Sequence, residues 1–317
     1  MDRQHIPGLA LAVVRDGRVV MSEAYGQADL ENGEAVTGDT AFSIGSLSKQ
    51  FLAAAVMVLV EDGKVQLDAP IQTYLSDAPD SWRSITLRNL LSHSSGLMRE
   101  GPGFRPDRIR PDIDVIRSAY PVPLSFPSRD RFEYSNLGYF IIAEVISRRS
   151  GMAWPDFVKT RLFVPSGMTA SYLTSAPAPR HGRANGYEWR DDRNQKVASM
   201  TALRPSGAFV ASLADMIRWE QALVRGSVVS STSLQQMGTA SRFNDGTQGA
   251  YGFGWRLETT EGHFEVGHGG SLPGFRAYYA RYPNDRLSVV VLTNEGDDDP
   301  RIIARQVAAH YLNSPSN

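Results

Sequence analysis

The segment Ala41–Phe51, AFSIGSLSKQF, sets Ser46 three residues before Lys49. The chain has four lysines, at positions 49, 64, 159 and 196, and arginine supplies the rest of its 33 basic residues. If a helix begins near Ser46, a spacing of three puts both side chains on one face. Ser46 would then lie at the helix N-terminus, where free N–H groups and the helix dipole favour developing negative charge. Lys49, one turn in and against an apolar run, would be pushed below its usual pKa of about 10.4 by desolvation and the positive helix end. A lysine so lowered can take the proton of a serine nucleophile. Arginine keeps its proton and could not. Serine is common here, however, and composition alone yields one such pair somewhere in about four chains of ten.

Two other clusters carry usable chemistry. In RFEYSNLGYF, Tyr134 and Asn136 stand two apart just before a helical pattern. Tyrosine can relay protons and asparagine can hold a carbonyl or amide, so both could face one cleft; equally, Tyr134 could be a core aromatic and Asn136 a helix N-cap. In VGHGGSLPGF, His268, Gly269, Gly270 and Ser271 follow a strand-like run. Glycines there would let a ligand lie against bare backbone, and a backbone N–H could pair with that of Ser46 as an oxyanion hole. A turn histidine is the competing reading.

The rest of the chain must position these groups. Its 317 residues, 42 % hydrophobic and 21 % charged, can bury a large core in one domain or two intimately packed ones. A net charge of −1 gives no basic face for nucleic acid. The absence of cysteine excludes disulfides, thiolate metal sites and cysteine nucleophiles. The longest apolar run, Phe51 to Val60, is too short to span a bilayer. Met1-Asp2-Arg3-Gln4 begins no signal peptide.

Residues 8–15 and 18–25 read as strands joined by an Asp16-Gly17 hairpin turn. Helices are expected over Phe51–Asp62, from Asp68-Ala69-Pro70 onward, over 86–91, Leu137–Ser150, Leu213–Val224 and Pro300–Leu312. The proline- and arginine-rich stretch Gly101–Arg131 reads as a long surface excursion with a brief helix around Asp112–Ala119. Residues 264–267, 275–282 and 286–293 read as strands, the last two joined at Pro283-Asn284-Asp285. Strands at both ends and helices between them predict an α/β (α+β) fold. Its mostly antiparallel sheet would be built from residues 1–66 and 241–317, flanked by helices, with 67–240 inserted as a mainly helical subdomain and the site in the cleft between them.

Taken together and in this order, the three clusters resemble those of the serine β-lactamase and penicillin-binding-protein superfamily, on its class C β-lactamase, DD-peptidase and esterase branch. Ser46-Leu47-Ser48-Lys49 matches S-x-x-K, Tyr134-Ser135-Asn136 matches Y-x-N, and His268-Gly269-Gly270 occupies the place of K-T-G. The blocks ITLRNLLSHSSGL, LFVPSGM, YGFGW and VVVLTNE look like family signatures too. The resemblance implies Ser46 as acylated nucleophile, Lys49 and Tyr134 sharing proton transfer, Asn136 contacting the acyl side, and backbone N–H groups of Ser46 and Ser271 as oxyanion hole. His93, in LSHSSGL, reads as structural. His5, His181, His263 and His310 show no metal-ligand spacing, so neither a metal nor a cofactor is expected. The family also implies a periplasmic or secreted protein if a leader preceded the chain, and a cytoplasmic one otherwise.

The departures bear on substrate. His268 and Gly269 replace a permanent cation and a hydroxyl that help hold the carboxylate of a β-lactam or peptide C-terminus, which weakens that hold. Arg276 and the arginines of 101–131 are candidates to restore it. The expectation is a hydrolase of small esters or amides. The alternatives are a D-amino-acid peptidase or DD-carboxypeptidase, a weak β-lactamase, and a non-catalytic binding or sensor protein on the same scaffold.

Overall fold

The computed structural model describes residues 4–173, 182–198, 200 and 204–312; His181 lies outside them. The chain opens with the expected hairpin, Gly8–Arg15 (β1) and Arg18–Asp29 (β2), then the short Glu34–Ala35 (β3) and Ala41–Ser43 (β4). A 3₁₀ turn, Gly45–Leu47, leads into Ser48–Glu61 (α1). Leu87–Leu91 (α2), Asp112–Ser118 (α3), Asn136–Ser150 (α4), Trp154–Val158 (α5) and Val164–Ser166 (α6) follow. Next come Tyr172–Leu173 (β5), the hairpin Tyr187–Arg190 (β6) and Arg193–Lys196 (β7), Phe209–Ser212 (β8), Leu213–Arg225 (α7) and Ser231–Met237 (α8). The chain ends with Arg256–Thr260 (β9), His263–Leu272 (β10), Phe275–Tyr282 (β11), Leu287–Thr293 (β12) and Pro300–Leu312 (α9).

Seven of these strands form one antiparallel sheet in the order β3-β2-β1-β12-β11-β10-β9. The two ends of the chain meet at its centre, where Leu9 stands opposite Thr293 and Val13 opposite Val289. The apolar runs GLALAVVR and LSVVVLT are continuous because both faces of these strands are buried. Leu9, Leu11, Val13, Val289 and Val291 join Ala304 and Ala308 of α9 in one cluster. Ala10, Ala12, Val290 and Leu292 face the other way, into the large core that includes α1, α4 and α7.

Helix α1 is buried along nearly its whole length, from Ser48 to Leu59. A helix apolar on all sides belongs in the middle of a structure, and α1 does: α4, β8 and the sheet surround it. It starts three residues earlier than the apolar run suggested.

Two other expectations fail. Asp68-Ala69-Pro70 begins no α-helix: only a 3₁₀ turn, Ile71–Thr73, follows. Asp68 is an ion-pair partner of Arg88 at 2.6 Å, and Pro70 bridges to Thr86. The strand expected over 264–267 continues through His268-Gly269-Gly270 to Leu272, so those glycines lie within a strand rather than a turn.

Candidate active site

The Gly45–Leu47 turn runs directly into α1, so Ser46 and Lys49 share a face although Ser46 precedes the α-helix. Lys49 is fully buried. Its Nζ lies 3.1 Å from Ser46 Oγ, 2.9 Å from Asn136 Oδ1 and 3.4 Å from the Ser206 carbonyl oxygen. Tyr134 contributes a ring face, its centroid 4.6 Å from that nitrogen, and shares the cleft wall with Ser46.

Each partner arrives by a separate route. Ser135 caps α4, accepting the Gly138 N–H at 3.1 Å and donating to the Met98 carbonyl. With capping done by Ser135, the Asn136 side chain is free to reach Lys49. Ser206 lies in the 3₁₀ turn before β8, which pairs with β4 just ahead of the serine turn. His93 holds the Ser135 N–H on its Nδ1 at 3.1 Å and stacks on Tyr134 with ring centroids 4.2 Å apart. It is a buried support, as expected.

Burial pushes the Lys49 ammonium well below its ordinary range. Glu100 opposes that shift, while Arg204, Arg99 and Arg256 add to it. The consequence is directional. A neutral amine has two protons and one lone pair, and two of its three neighbours, Asn136 Oδ1 and the Ser206 carbonyl, can only accept. Once deprotonated, Lys49 would spend its protons there and turn its lone pair to Ser46 Oγ, which lies 3.1 Å away. Burial also raises Tyr134 to about 12, so its phenol keeps its proton at neutral pH and can give it up only as part of a relay.

Opposite this group runs the far half of β10. Beyond Gly267, β10 pairs with β11 but no longer with β9. An ideal Cβ on Gly270 would come 1.9 Å from the Ile44 carbonyl oxygen, and one on Gly45, whose φ is +50°, would come 2.7 Å from the Ser271 nitrogen. Only glycine lets the serine turn and the strand approach this closely, and the approach brings the Ser271 amide beside Ser46.

His268 donates from Nδ1 to the Gly269 carbonyl at 2.6 Å, so Nε2, 2.8 Å from Tyr251 Oη, accepts the tyrosine proton. Burial, with Lys49 near, lowers His268 to about 3. It carries no charge at neutral pH.

These residues border a cleft of about 650 Å³ whose walls include Ser46, Tyr134, His268, Gly270, Ser271 and Arg276. Arg276 donates to the Leu272 and Phe275 carbonyls, each at 3.1 Å. Arg99, Arg256 and Arg301 also line it, whereas the arginines of the 101–131 excursion do not. Sequence reasoning missed Glu100, Arg204, Ser206 and Tyr251. Asn136 Nδ2 donates to Glu100 Oε1 at 2.6 Å, and Arg204 Nε donates to Glu100 Oε2 at 2.6 Å. Nothing in the spacing of positions 100, 136 and 204 announces that chain of bonds.

The sequence profile of the Beta-lactamase family matches residues 1–312. The chain belongs to that family. With it goes membership of the serine β-lactamase and penicillin-binding-protein superfamily, a superfamily of hydrolases. Among similar proteins, a D-aminopeptidase of Brucella canis is 30 % identical over 91 % of this chain and 56 % of its own length. Penicillin-binding protein 4* of Bacillus subtilis is 26 % identical over 98 % of this chain and 73 % of its own. This family member therefore spans little more than half of the D-aminopeptidase. An octameric penicillin-binding protein homologue from Pyrococcus abyssi superposes with a TM-score of 0.86 at 25 % identity, covering 98 % of this chain and 75 % of that one. D-amino acid amidase from Ochrobactrum anthropi SV3, at 24 % identity and a TM-score of 0.82 over 98 % and 95 %, shares the fold.

Proposed function

We propose that this Beta-lactamase family protein is a serine hydrolase that works through an acyl-enzyme on Ser46. The site would lie in the cleft between the sheet segments, 1–66 and 241–317, and the intervening 67–240. One observation carries the reading: Lys49 Nζ is fully buried and 3.1 Å from Ser46 Oγ, and its other two partners, Asn136 Oδ1 and the Ser206 carbonyl, can only accept, so its deprotonated form would turn its lone pair to Ser46. Ser46 Oγ attacks a carbonyl carbon as Lys49 takes its proton. The backbone N–H groups of Ser46 and Ser271 hold the oxyanion. Tyr134 passes a proton to the departing amine or alcohol and takes one back from the Lys49 ammonium, so the serine proton ends on the leaving group. Water then releases the acyl group.

Asn136 commits its oxygen to Lys49 and to Ser206 Oγ, and one amide proton to Glu100. Among the described residues this leaves one Nδ2 proton for a substrate carbonyl. Small amides and esters suit a cleft where a neutral histidine replaces a fixed cation. The relatives named for D-aminopeptidase and D-amino acid amidase activity put D-amino-acid amides first among substrates to try.

The test is intact mass after exposure to a fluorophosphonate and to a labelled penicillin. The expected result is one adduct, absent in Ser46→Ala, together with loss of turnover of a D-amino-acid p-nitroanilide. Adduct formation with no turnover of any ester or amide would favour a binding or sensor protein. A Ser46→Ala variant within tenfold of the parent would refute the nucleophile.

A further inference from the structure

The Glu100 carboxylate is divided between two partners. Its Oε1 accepts from Asn136 Nδ2 and its Oε2 from Arg204 Nε, both at 2.6 Å. The Arg204 guanidinium is in turn seated 4.4 Å from the Phe104 ring centroid. This is more than a surface ion pair, because the Asn136 amide links it to the buried lysine. A carboxylate can only accept, so Glu100 forbids the flipped Asn136 amide. A flipped amide would offer Lys49 an N–H₂ in place of an oxygen and draw the amine lone pair away from Ser46.

The groups facing Lys49 come from every element around it. They are Arg99 and Glu100 from the segment after α2, Arg204 before β8 and Arg256 of β9, with His93, Tyr134, Tyr139 and His268 as neighbours. The two histidines are held neutral by burial and the two tyrosines keep their protons. Among the described residues, the charges acting most on Lys49 are one carboxylate and three guanidiniums. Glu100 is the only one of the four that favours the protonated lysine.

We propose that the Glu100–Arg204 ion pair is a positioning device for the proton-accepting lysine, locking the Asn136 amide in one orientation and setting the charge balance under which Lys49 works. The proposal rests on Lys49 being the base. It assigns both residues a role acting through Asn136 and Lys49, without contact to the reacting atoms.

The experiment uses Glu100→Gln, Arg204→Gln and the double variant. Each keeps a hydrogen-bonding group in place and removes a charge. The readout is the second-order rate of Ser46 phosphonylation by a fluorophosphonate, measured by intact mass from pH 4 to 9, a reaction that needs no knowledge of the natural substrate. Loss of the carboxylate removes the charge favouring the ammonium, so the acid limb in Glu100→Gln should move to lower pH. Loss of the guanidinium does the reverse, so in Arg204→Gln it should move to higher pH. Each shift should be on the order of half to one pH unit, given partial solvent screening. In the double variant the limb should return close to the parent's.

Singles that move the same way, or a limb that stays put while the rate falls, would overturn the proposal and leave the pair as mere scaffolding. Melting temperatures separate misfolded variants, and Glu100→Asp, which restores charge, should recover the parent's limb. Lys49→Arg is the control for the underlying reading: if it phosphonylates at the parent's rate, Lys49 is not the base and the role of the pair falls with it. If Lys49→Arg is inert and the limbs do not move, the inference alone fails.

Discussion

Replacing Gly270 by alanine tests the closeness of the serine turn to β10. The added methyl would sit 1.9 Å from the Ile44 carbonyl oxygen, about 1.5 Å short of the 3.4 Å at which ordinary contact begins. The obstacle is backbone, and the same oxygen accepts the Leu47 N–H at 3.2 Å in the turn that carries Ser46. Relief therefore requires the turn or the strand to yield by most of an ångström or more. Overpacking of this kind costs about 1–3 kcal/mol of stability, a few degrees of melting temperature in a chain of this size. Activity should suffer far more, because a displacement of about 1 Å between nucleophile and oxyanion donors can cost about 100-fold.

Gly269→Ala is the internal control. Its methyl would meet Tyr278 at 3.6 Å and the Ala277 carbonyl at 3.8 Å, ordinary contacts, and should stay within a few-fold of the parent. The assay is fluorophosphonate labelling rate and p-nitrophenyl ester turnover beside a thermal melt. Gly270→Ala within tenfold of the parent, or Gly269→Ala reduced a hundredfold, would show that close approach is not what these glycines provide.

Lys49→Arg should be nearly as damaging as Lys49→Ala, since a guanidinium keeps charge and loses base function; kcat/KM for an activated ester decides it. Esters and amides should be turned over faster than cephalosporins, because His268 offers a ligand carboxylate no charge. His268→Lys should shift that ratio toward the cephalosporin, and a parent that prefers the cephalosporin and loses the preference in Arg276→Ala would place the cation at Arg276 instead. Asp298→Asn should stabilise the protein at pH 8 and much less at pH 4. Burial raises Asp298 to about 7, so the fold disfavours its ionised form. That penalty is absent below the unfolded carboxyl value and full above about 7, with an upper bound of about 4 kcal/mol at 1.36 kcal/mol per pH unit. Thermal melts of both proteins across that range are the measurement.

Elements whose pattern is local were legible in the sequence. The Asp16-Gly17 hairpin, α4 with Gly151 at its end, the helix within 101–131 and α9 all carry their own periodicity and stop signals. The sequence misled where a residue's role depends on a distant neighbour. Gly270 stands beyond the end of the expected strand until the Ile44 carbonyl is placed beside it. Asp68 looks like a helix cap until Arg88 takes its carboxylate. Lys49 and Ser46 were readable because three residues of helix join them. Glu100, Ser206 and Arg204 were not, because their partner lies two or three folded segments away. The same limit applies to Tyr251, whose bond to His268 reaches past the whole of β9.

The pairing of β1 with β12 also governs when the molecule can exist during its own synthesis. A ribosome delivers Ser46, Lys49, Tyr134 and Asn136 long before the residues that stand opposite β1 in the sheet. Until Leu287–Thr293 emerges, the inner edge of β1 has no neighbour, and an unpaired apolar edge is a template for association with other chains. Contacts this distant in sequence also form slowly. The amide of Ser271 arrives with the same late segment. Under the proposed mechanism a nascent chain would hold its nucleophile and base without half of the oxyanion hole, and acylating power should switch on only when the final hairpin closes the sheet.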